Sequence, residues 1–289
     1  MSNDLATMDA LGMSLAEAIG ISASAGETKT ASLPRINLTH NAIMGTMDVG
    51  GKSIKTEVVP AGAYKITLGE DNEVYTVNPS VRIFAVRQQW SKWDSEANQM
   101  LKTVMSTDLK GDLKDNMGTF NLGRPSGYIE DWDAVPQKTK DLIRSIKRKK
   151  VVFGMLTASD VTDANGNAVD AITDPMPFVY EVSPSSIKAL DQAMASLTRK
   201  NILAIQYTFT LGAEEGTLPN GNTYAIMTLG AGDKVDITPE DQGKLKDFME
   251  YIEYQNSYIL NMWEEKNQAG ISSEDADVVS SFVNVEEAD

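Results

Sequence analysis

The spacing of apolar residues divides the chain into segments of different character. Residues 4–19 repeat an apolar side chain every three or four positions, which predicts a short amphipathic helix. Residues 20–32 lose this period and are rich in Gly, Ser, Ala and Thr, the composition of a flexible linker. We therefore expect residues 1–32 to be an amphipathic segment and a flexible linker ahead of the main body.

From residue 33 onward, short runs of β-branched and aromatic residues are separated by turn residues, a pattern typical of strands. The first half contains predicted strands at 33–38, 54–59, 62–68, 73–77 and 80–90. The second half contains predicted strands at 151–157, 176–182, 202–211 and 223–229. The run at 80–90 is the longest, and we expect it to be a central strand.

Helical periodicity predicts four helices in the same region. They span 96–106, 134–149, 185–197 and about 239–266, and the last begins at the Thr238-Pro239 start signal. The order of strands and helices predicts an α+β fold with a β-rich core at 33–271, either one body or two sub-blocks at 33–133 and 134–271. This order is compatible with an oligonucleotide-binding (OB)-like barrel, elaborated with extra strands and helices and a long C-terminal helix.

Composition narrows the classes of function. The 289 residues include 26 Lys and Arg against 41 Asp and Glu, a net charge of −15, so any surface that binds a polyanion must be local. The absence of cysteine excludes disulfides and thiolate metal sites and favours a reducing, cytoplasmic location, in the host cell if the protein is phage-encoded. No apolar run approaches the roughly 20 residues that cross a bilayer, and the N-terminus lacks the basic region of a signal peptide.

Motifs for catalysis are missing from the sequence. Phosphate-binding, dinucleotide-binding, zinc-protease and nucleophile-elbow patterns do not occur, and His40 is the sole histidine. The acids at 130–133 around Trp132 are expected to form a solvated loop. We therefore expect a non-enzymatic protein with no catalytic residue, metal or cofactor.

Basic residues concentrate between 138 and 150, where seven of them accompany the single acid Asp141. If the predicted helix continues to residue 149, four of them share one helical face and form a positive ridge. The segment 82–93, RIFAVRQQWSKW, adds aromatic rings that can stack on bases and cations that can follow the backbone of a single strand. The candidate nucleic-acid-binding residues are Arg82, Arg87, Trp90, Lys92, Trp93, Lys140, Arg144, Lys147, Arg148 and Lys150.

Residues 272–289 form an acidic segment with six acids and no base, and we expect it to be a disordered tail. Such a tail can occupy the protein's own basic groove until nucleic acid displaces it. Its candidate partner-binding residues are Phe282, Glu286, Glu287 and Asp289.

The runs VVFGMLT at 151–157 and MPFVYEVSPSSIKAL at 176–190, together with the acidic tail that contains Phe282, resemble phage-encoded single-stranded DNA-binding proteins. The resemblance implies an OB-fold protein that acts in phage DNA replication or recombination and contacts replication proteins through its tail. The helical N-terminal segment and the distance of Phe282 from the chain end depart from that plan.

Two other hypotheses remain at this point. The chain could be a phage virion or assembly protein whose arm, residues 1–32, mediates self-association into a homo-oligomer. A metal-dependent nuclease built on the abundant carboxylates is the third hypothesis. Quenching of tryptophan fluorescence by oligo-dT separates the first hypothesis from both others.

Overall fold

The computed structural model describes residues 32–49, 52–69, 72–125 and 127–268. The predicted N-terminal helix, the linker up to residue 31 and the acidic tail lie outside these residues. Within them the chain forms eleven strands and three α-helices. The strands are β1 (Arg35–Leu38), β2 (Ile43–Val49), β3 (Lys52–Val59), β4 (Tyr64–Gly69), β5 (Asn72–Thr76), β6 (Ser80–Asp94), β7 (Gln99–Lys102), β8 (Lys147–Ala158), β9 (Ile172–Val182), β10 (Tyr207–Thr217) and β11 (Thr223–Lys234). The helices are α1 (Gln137–Ser145), α2 (Ile187–Thr198) and α3 (Pro239–Gln268).

Nine strands form one sheet in the order β11-β10-β6-β8-β9-β1-β4-β5, with β7 paired to β6, and β2 and β3 form a separate hairpin. The pairing of β1 with β9 is parallel, and β1 pairs antiparallel with β4. Neither sheet closes among the described residues, so the fold is mixed α/β with an open, β-rich sheet and a C-terminal helix. The OB-like barrel is not confirmed by this topology. The prediction that the run at 80–90 is a central strand is confirmed, because β6 lies between β10 and β8.

Glycine at position 154 permits the close approach of β6 and β8. A Cβ atom at this position would lie 2.1 Å from the carbonyl oxygen of Arg82 and 3.0 Å from the ring of Phe178. Because real Cβ atoms do not approach a carbonyl so closely, only glycine fits here.

The chain divides into two compact units, each built from several segments. Unit 1 comprises the described residues of Met1–Arg82, Gly154–Tyr180 and Ser196–Val235. Its core contains the cross-strand pair Ile36 and Ile66, both fully buried. The buried Tyr64 packs edge-to-face on Tyr180 and donates its hydroxyl hydrogen bond, 2.7 Å long, to the carbonyl of Gly212. Aromatic packing and β pairing thus hold unit 1 together.

Unit 2 comprises the described residues of Ile83–Phe153, Glu181–Ala195 and Asp236–Asp289. Helix α3 packs on its strands through Phe248, whose ring lies 5.6 Å from that of Phe84 and 6.1 Å from that of Phe153. A second cluster joins buried residues of β7, the following loop and the end of α1, with partly buried residues packed against it. Its members are Leu101, Leu122, Ile146, Trp90, Met117 and Leu142.

The long loop between β7 and α1 is organised by the buried carboxylate of Asp115. This carboxylate accepts hydrogen bonds from the backbone N–H groups of Met117, Thr119 and Leu122 and from the Thr119 hydroxyl. Asn121 and Leu122 adopt positive φ angles of 45° and 58°. Because positive φ is strained for leucine, the carboxylate compensates for a conformation that the sequence alone disfavours.

The predicted helix at 96–106 is wrong, and the one predicted at 134–149 is confirmed only at Gln137–Ser145. Residues 99–102 of the predicted helix at 96–106 form strand β7, after a turn in which Asp94 accepts hydrogen bonds from the N–H groups of Glu96 and Ala97. Asn98 completes this turn at φ 50°, a conformation that asparagine tolerates well. The predicted helix at 134–149 ends at Ser145, because Ile146 is extended and buried and strand β8 begins at Lys147.

Other boundaries shift by a few residues. Strand β2 was absent from the sequence prediction, and β10 begins only at Tyr207, after a short 3₁₀ turn at Ala204–Gln206. The predictions of α2 and α3 are confirmed within three residues at each end.

Candidate nucleic-acid interface

The two arginines predicted on β6 are engaged by protein groups. Arg82 belongs to unit 1 and donates from Nε to the carbonyl of Ile205 at 2.6 Å. Arg87 belongs to unit 2 and donates to the Sδ atom of Met249 and to the carbonyl of Val86, each at 3.0 Å. Both guanidinium groups therefore have structural partners in the folded protein.

Trp90 is part of the second core cluster of unit 2. Its ring packs against Leu101, Leu122 and Ile146, and the Arg124 guanidinium lies 3.8 Å from its centroid. Lys92 is two residues further along β6, so it points to the same side of the strand, and it is half-buried. Trp90 therefore presents no bare aromatic face to a base.

The predicted basic ridge does not exist as one helical face, because the chain changes from α1 to β8 within it. Lys140 and Arg144 lie on α1, and their cations are 6.0 and 5.9 Å from the centroid of the Trp132 ring. Arg144 also lies 3.7 Å from the carboxylate of Asp141, and the Lys140 ammonium donates to the carbonyl of Asp133. The α1 surface thus mixes cations with acids, and it resembles an ordinary solvated helix face.

Residues 147–150 belong to β8, where successive side chains point to opposite faces of the sheet. Arg148 and Lys150 point to the face covered by α2 and meet the carboxylate of Asp191. Arg148 also donates to Oε1 of Gln88 at 2.7 Å. Lys147 and Lys149 point to the other face.

That other face presents the most exposed of the four tryptophans. Trp93 is 53% exposed, whereas Trp90, Trp132 and Trp263 are half-buried. On β6 it follows Ser91 by two residues, and Ser91 lies opposite Lys102 of β7 in the strand register. Directly opposed residues of antiparallel strands share a face, so Trp93 and Lys102 lie on the same side of the sheet.

Lys149 joins this group through the carboxylate of Glu181 on β9. Glu181 accepts from Lys102 at 2.8 Å through Oε1 and from Lys149 at 2.7 Å through Oε2. Lys147 is two residues before Lys149 and therefore points to the same side, where its side chain is exposed and its ammonium donates to the carbonyl of Arg144 at 2.6 Å. We call the surface formed by Trp93, Lys102, Lys147, Lys149 and Glu181 the Trp93 face.

The electrostatics of the Trp93 face centre on Glu181. Burial of its carboxyl group favours the protonated form, but the ammonium groups of Lys102 and Lys149 outweigh that effect and lower the pKa of Glu181 to about 2. The carboxylate is therefore ionised at neutral pH. With three lysines and one carboxylate, the face is positive within an acidic protein.

Of the ten predicted binding residues, only Trp93 and Lys147 belong to the Trp93 face. Lys102 and Glu181 were not among the predicted binding residues, and the neighbours of Lys149 were predicted in its place. A sequence signal for Lys102 exists in the Asp94–Asn98 segment, which forms a turn of the kind that joins two antiparallel strands. Recognition of that turn would have placed Lys102 opposite Ser91 and close to Trp93. No comparable signal connects Glu181 with the two lysines, since it lies in a distant segment of the chain.

Comparisons with protein-family models, with curated proteins and with solved structures find no match to this chain. In the part of the chain that the structure describes, no helix has the length and apolar character needed to span a membrane. The residues predicted to bind partner proteins, Phe282, Glu286, Glu287 and Asp289, lie outside the described residues.

Proposed function

We propose that the protein binds single-stranded DNA without catalysing a reaction, and that the Trp93 face is its binding surface. The observation that supports this proposal is an exposed tryptophan on a sheet surface beside three lysines that share its side. Aromatic side chains stack on unpaired bases of any sequence, and neighbouring lysines neutralise the phosphates between them. This combination suits a flexible single strand better than a duplex, whose bases are already stacked.

The OB-like part of the proposal concerns how the sheet is used. Oligonucleotide-binding domains bind a strand across one face of a curved sheet, with stacking residues on the strands and cations around them. Trp93 on β6, Lys102 on β7 and Lys147 on β8 give the same kind of surface. A role in phage DNA replication or recombination follows as a proposal from the resemblance of the sequence segments described above.

Fluorescence titration with oligo-dT at low salt tests the proposal. Stacking on Trp93 should quench its emission, and the logarithm of the affinity should fall with the logarithm of salt concentration by about 0.7 per phosphate contacted. The Trp93→Ala variant should bind about 5- to 150-fold more weakly, the range that corresponds to one lost base stack. Failure of wild-type protein to bind oligo-dT at low salt would refute the proposal.

Tyr258 provides a matched control for the tryptophan substitution. It is 58% exposed, similar to Trp93, but it lies on α3, a helix with seven acidic residues and three lysines. The Tyr258→Ala variant should bind oligo-dT as the wild type does. An equal loss in both variants would show that the effect is not local to the Trp93 face.

Three further experiments address the remaining parts of the proposal. Deletion of residues 272–289 should tighten binding if the acidic tail competes with nucleic acid for the lysines. Assembly that depends on residues 1–32, together with no binding of oligo-dT, would instead favour the virion or assembly protein. An oligo-U competitor measures the preference for DNA over RNA.

A further inference from the structure

Glu181 is an acid inside the surface proposed to bind a polyanion. It lies between Lys102 and Lys149, and it is the acceptor for both ammonium groups. The side chains of the two lysines are 26% and 20% exposed, and that of Glu181 is 23% exposed. All three side chains are therefore half-buried and keep part of their surface exposed, unlike an ion pair enclosed in a core.

The chemistry of the three groups allows exchange of one anion for another. Each lysine ammonium has three N–H donors, and one donor of each is directed at Glu181. A phosphodiester oxygen is an anionic acceptor of the same kind as a carboxylate oxygen. A phosphate that approaches Lys102 and Lys149 must share their donors with Glu181 and is repelled by its charge.

We propose that Glu181 is a built-in competitor for phosphate, which holds Lys102 and Lys149 and lowers the affinity of the Trp93 face for a single strand. This inference rests on the proposed function, since it assigns the regulation of the same surface. The carboxylate keeps the two lysines in place when no strand is bound. It also keeps binding weak enough for the strand to exchange.

Asp191, on α2, supplies a control for Glu181, because it contacts cations on the opposite face of β8. It accepts from Lys150 and lies 3.9 Å from Arg148, so it also holds two cations of β8. Neutralising it changes the net charge by the same amount as neutralising Glu181. Because Lys149 and Lys150 point to opposite faces, only the Glu181 change alters the face that contains Trp93.

The test compares Glu181→Gln with Asp191→Asn in oligo-dT titrations over a range of salt concentrations. The Glu181→Gln variant should bind about three- to tenfold more tightly at low salt, as expected for removal of a like charge roughly 6 Å from a phosphate at a partly exposed site. Its salt dependence should steepen by about 0.7 for each lysine that gains a phosphate contact. The Asp191→Asn variant should change the affinity less than about twofold, because its charge lies across the sheet and is screened by salt.

Three outcomes overturn the inference. Unchanged affinity in Glu181→Gln shows that the carboxylate does not compete, and equal tightening in both variants shows a general effect of net charge. Weaker binding by a folded Glu181→Gln variant shows that Glu181 organises the lysines for the strand and does not oppose it. If Trp93→Ala weakens binding in the same assay, these outcomes leave the proposed function intact. Absence of binding by the wild type would refute both the proposed function and the inference about Glu181.

Lysine footprinting on the wild-type protein tests the same point without a substitution. Bound oligo-dT should slow the modification of Lys102 and Lys149 by an amine-reactive ester. Lys246, on α3 and paired with Glu250, should react at the same rate with and without the oligonucleotide. Unchanged modification of Lys102 and Lys149 on a saturated protein would contradict the inference even if the Glu181→Gln variant failed to fold.

Discussion

The decrease in the free energy of unfolding at acidic pH should depend on Glu181. The interactions with Lys102 and Lys149 lower the pKa of this carboxyl from 4.5 to about 2 in the folded protein. A group with a lowered folded-state pKa stabilises the protein fully above its unfolded pKa and loses this contribution as the pH falls towards the folded pKa. The relevant window is therefore about pH 4.5 down to about pH 2.

The size of the effect follows from the shift in pKa. Lowering the pKa of Glu181 from 4.5 to about 2 corresponds to roughly 3–4 kcal/mol of stability at neutral pH, since a tenfold change in an equilibrium constant is worth about 1.4 kcal/mol. The side chain of Glu181 is 23% exposed, so solvent screens the interaction only in part. In the Glu181→Gln variant this contribution is absent, and two lysines remain close together without a counter-charge, which adds to the loss at neutral pH.

The assay is urea unfolding followed by circular dichroism at several pH values between 7 and 2. The free energy of unfolding of the wild type should fall by about 3 kcal/mol more than that of Glu181→Gln between about pH 5 and pH 2. The two curves should therefore approach each other at the acid end. Parallel curves, with the same difference at every pH, would refute the assignment of Glu181 as the ionised partner of both lysines. Asp191→Asn, which removes a carboxylate that is 41% exposed, should cost less at neutral pH.

Three further substitutions, each paired with a control variant, test the local features of the fold by urea unfolding. Asp115→Ala should lower the free energy of unfolding by about 3–5 kcal/mol, since it leaves several buried donors unpaired, and Asp115→Asn should cost less because it keeps one oxygen acceptor. Gly154→Ala should cost about 3 kcal/mol or prevent folding, because its Cβ would clash with the carbonyl of Arg82, whereas Gly69→Ala, with open space around it, should change stability by less than about 1 kcal/mol. Asn98→Ala should lower the free energy of unfolding by about 1 kcal/mol, because alanine is strained at the positive φ of this position, and Asn98→Gly should be close to neutral. An equal loss in both variants would show that the turn does not depend on that backbone conformation.

Local patterns were sufficient to predict most strands and the two later helices. Alternating and β-branched runs predicted β4 and β5 within two residues at each end and the first eleven residues of β6, and the Thr238-Pro239 start predicted α3. These elements are determined by nearby residues and by a burial pattern that is visible in the sequence. The open sheet could not be predicted in the same way, because the parallel pairing of β1 with β9 joins segments more than a hundred residues apart.

The helix prediction at 134–149 failed where tertiary contacts override local preference. Lysine and arginine are good helix formers, so the basic run alone favours continuation of α1. Burial of Ile146 and the carboxylates of Glu181 and Asp191 favour the strand instead. Neither carboxylate is identifiable as a partner from the sequence, because both lie in a different segment of the chain.

This change from helix to strand has a consequence for how an acidic protein can bind an anion. A helix would have placed the basic residues in one ridge, but a strand divides them between two faces with one carboxylate on each. On the Asp191 side, helix α2 supplies the acid, and Arg148 makes a further bond to Gln88. On the Glu181 side, Lys102 from β7 adds a cation and Trp93 adds an exposed ring. Of the two faces, this one therefore combines an excess of lysines with an aromatic ring that can stack on a base. A net charge of −15 is therefore compatible with the proposed binding at this face, because salt at physiological concentration screens charges more than about 8 Å away, whereas a phosphate bound there would contact the lysines directly.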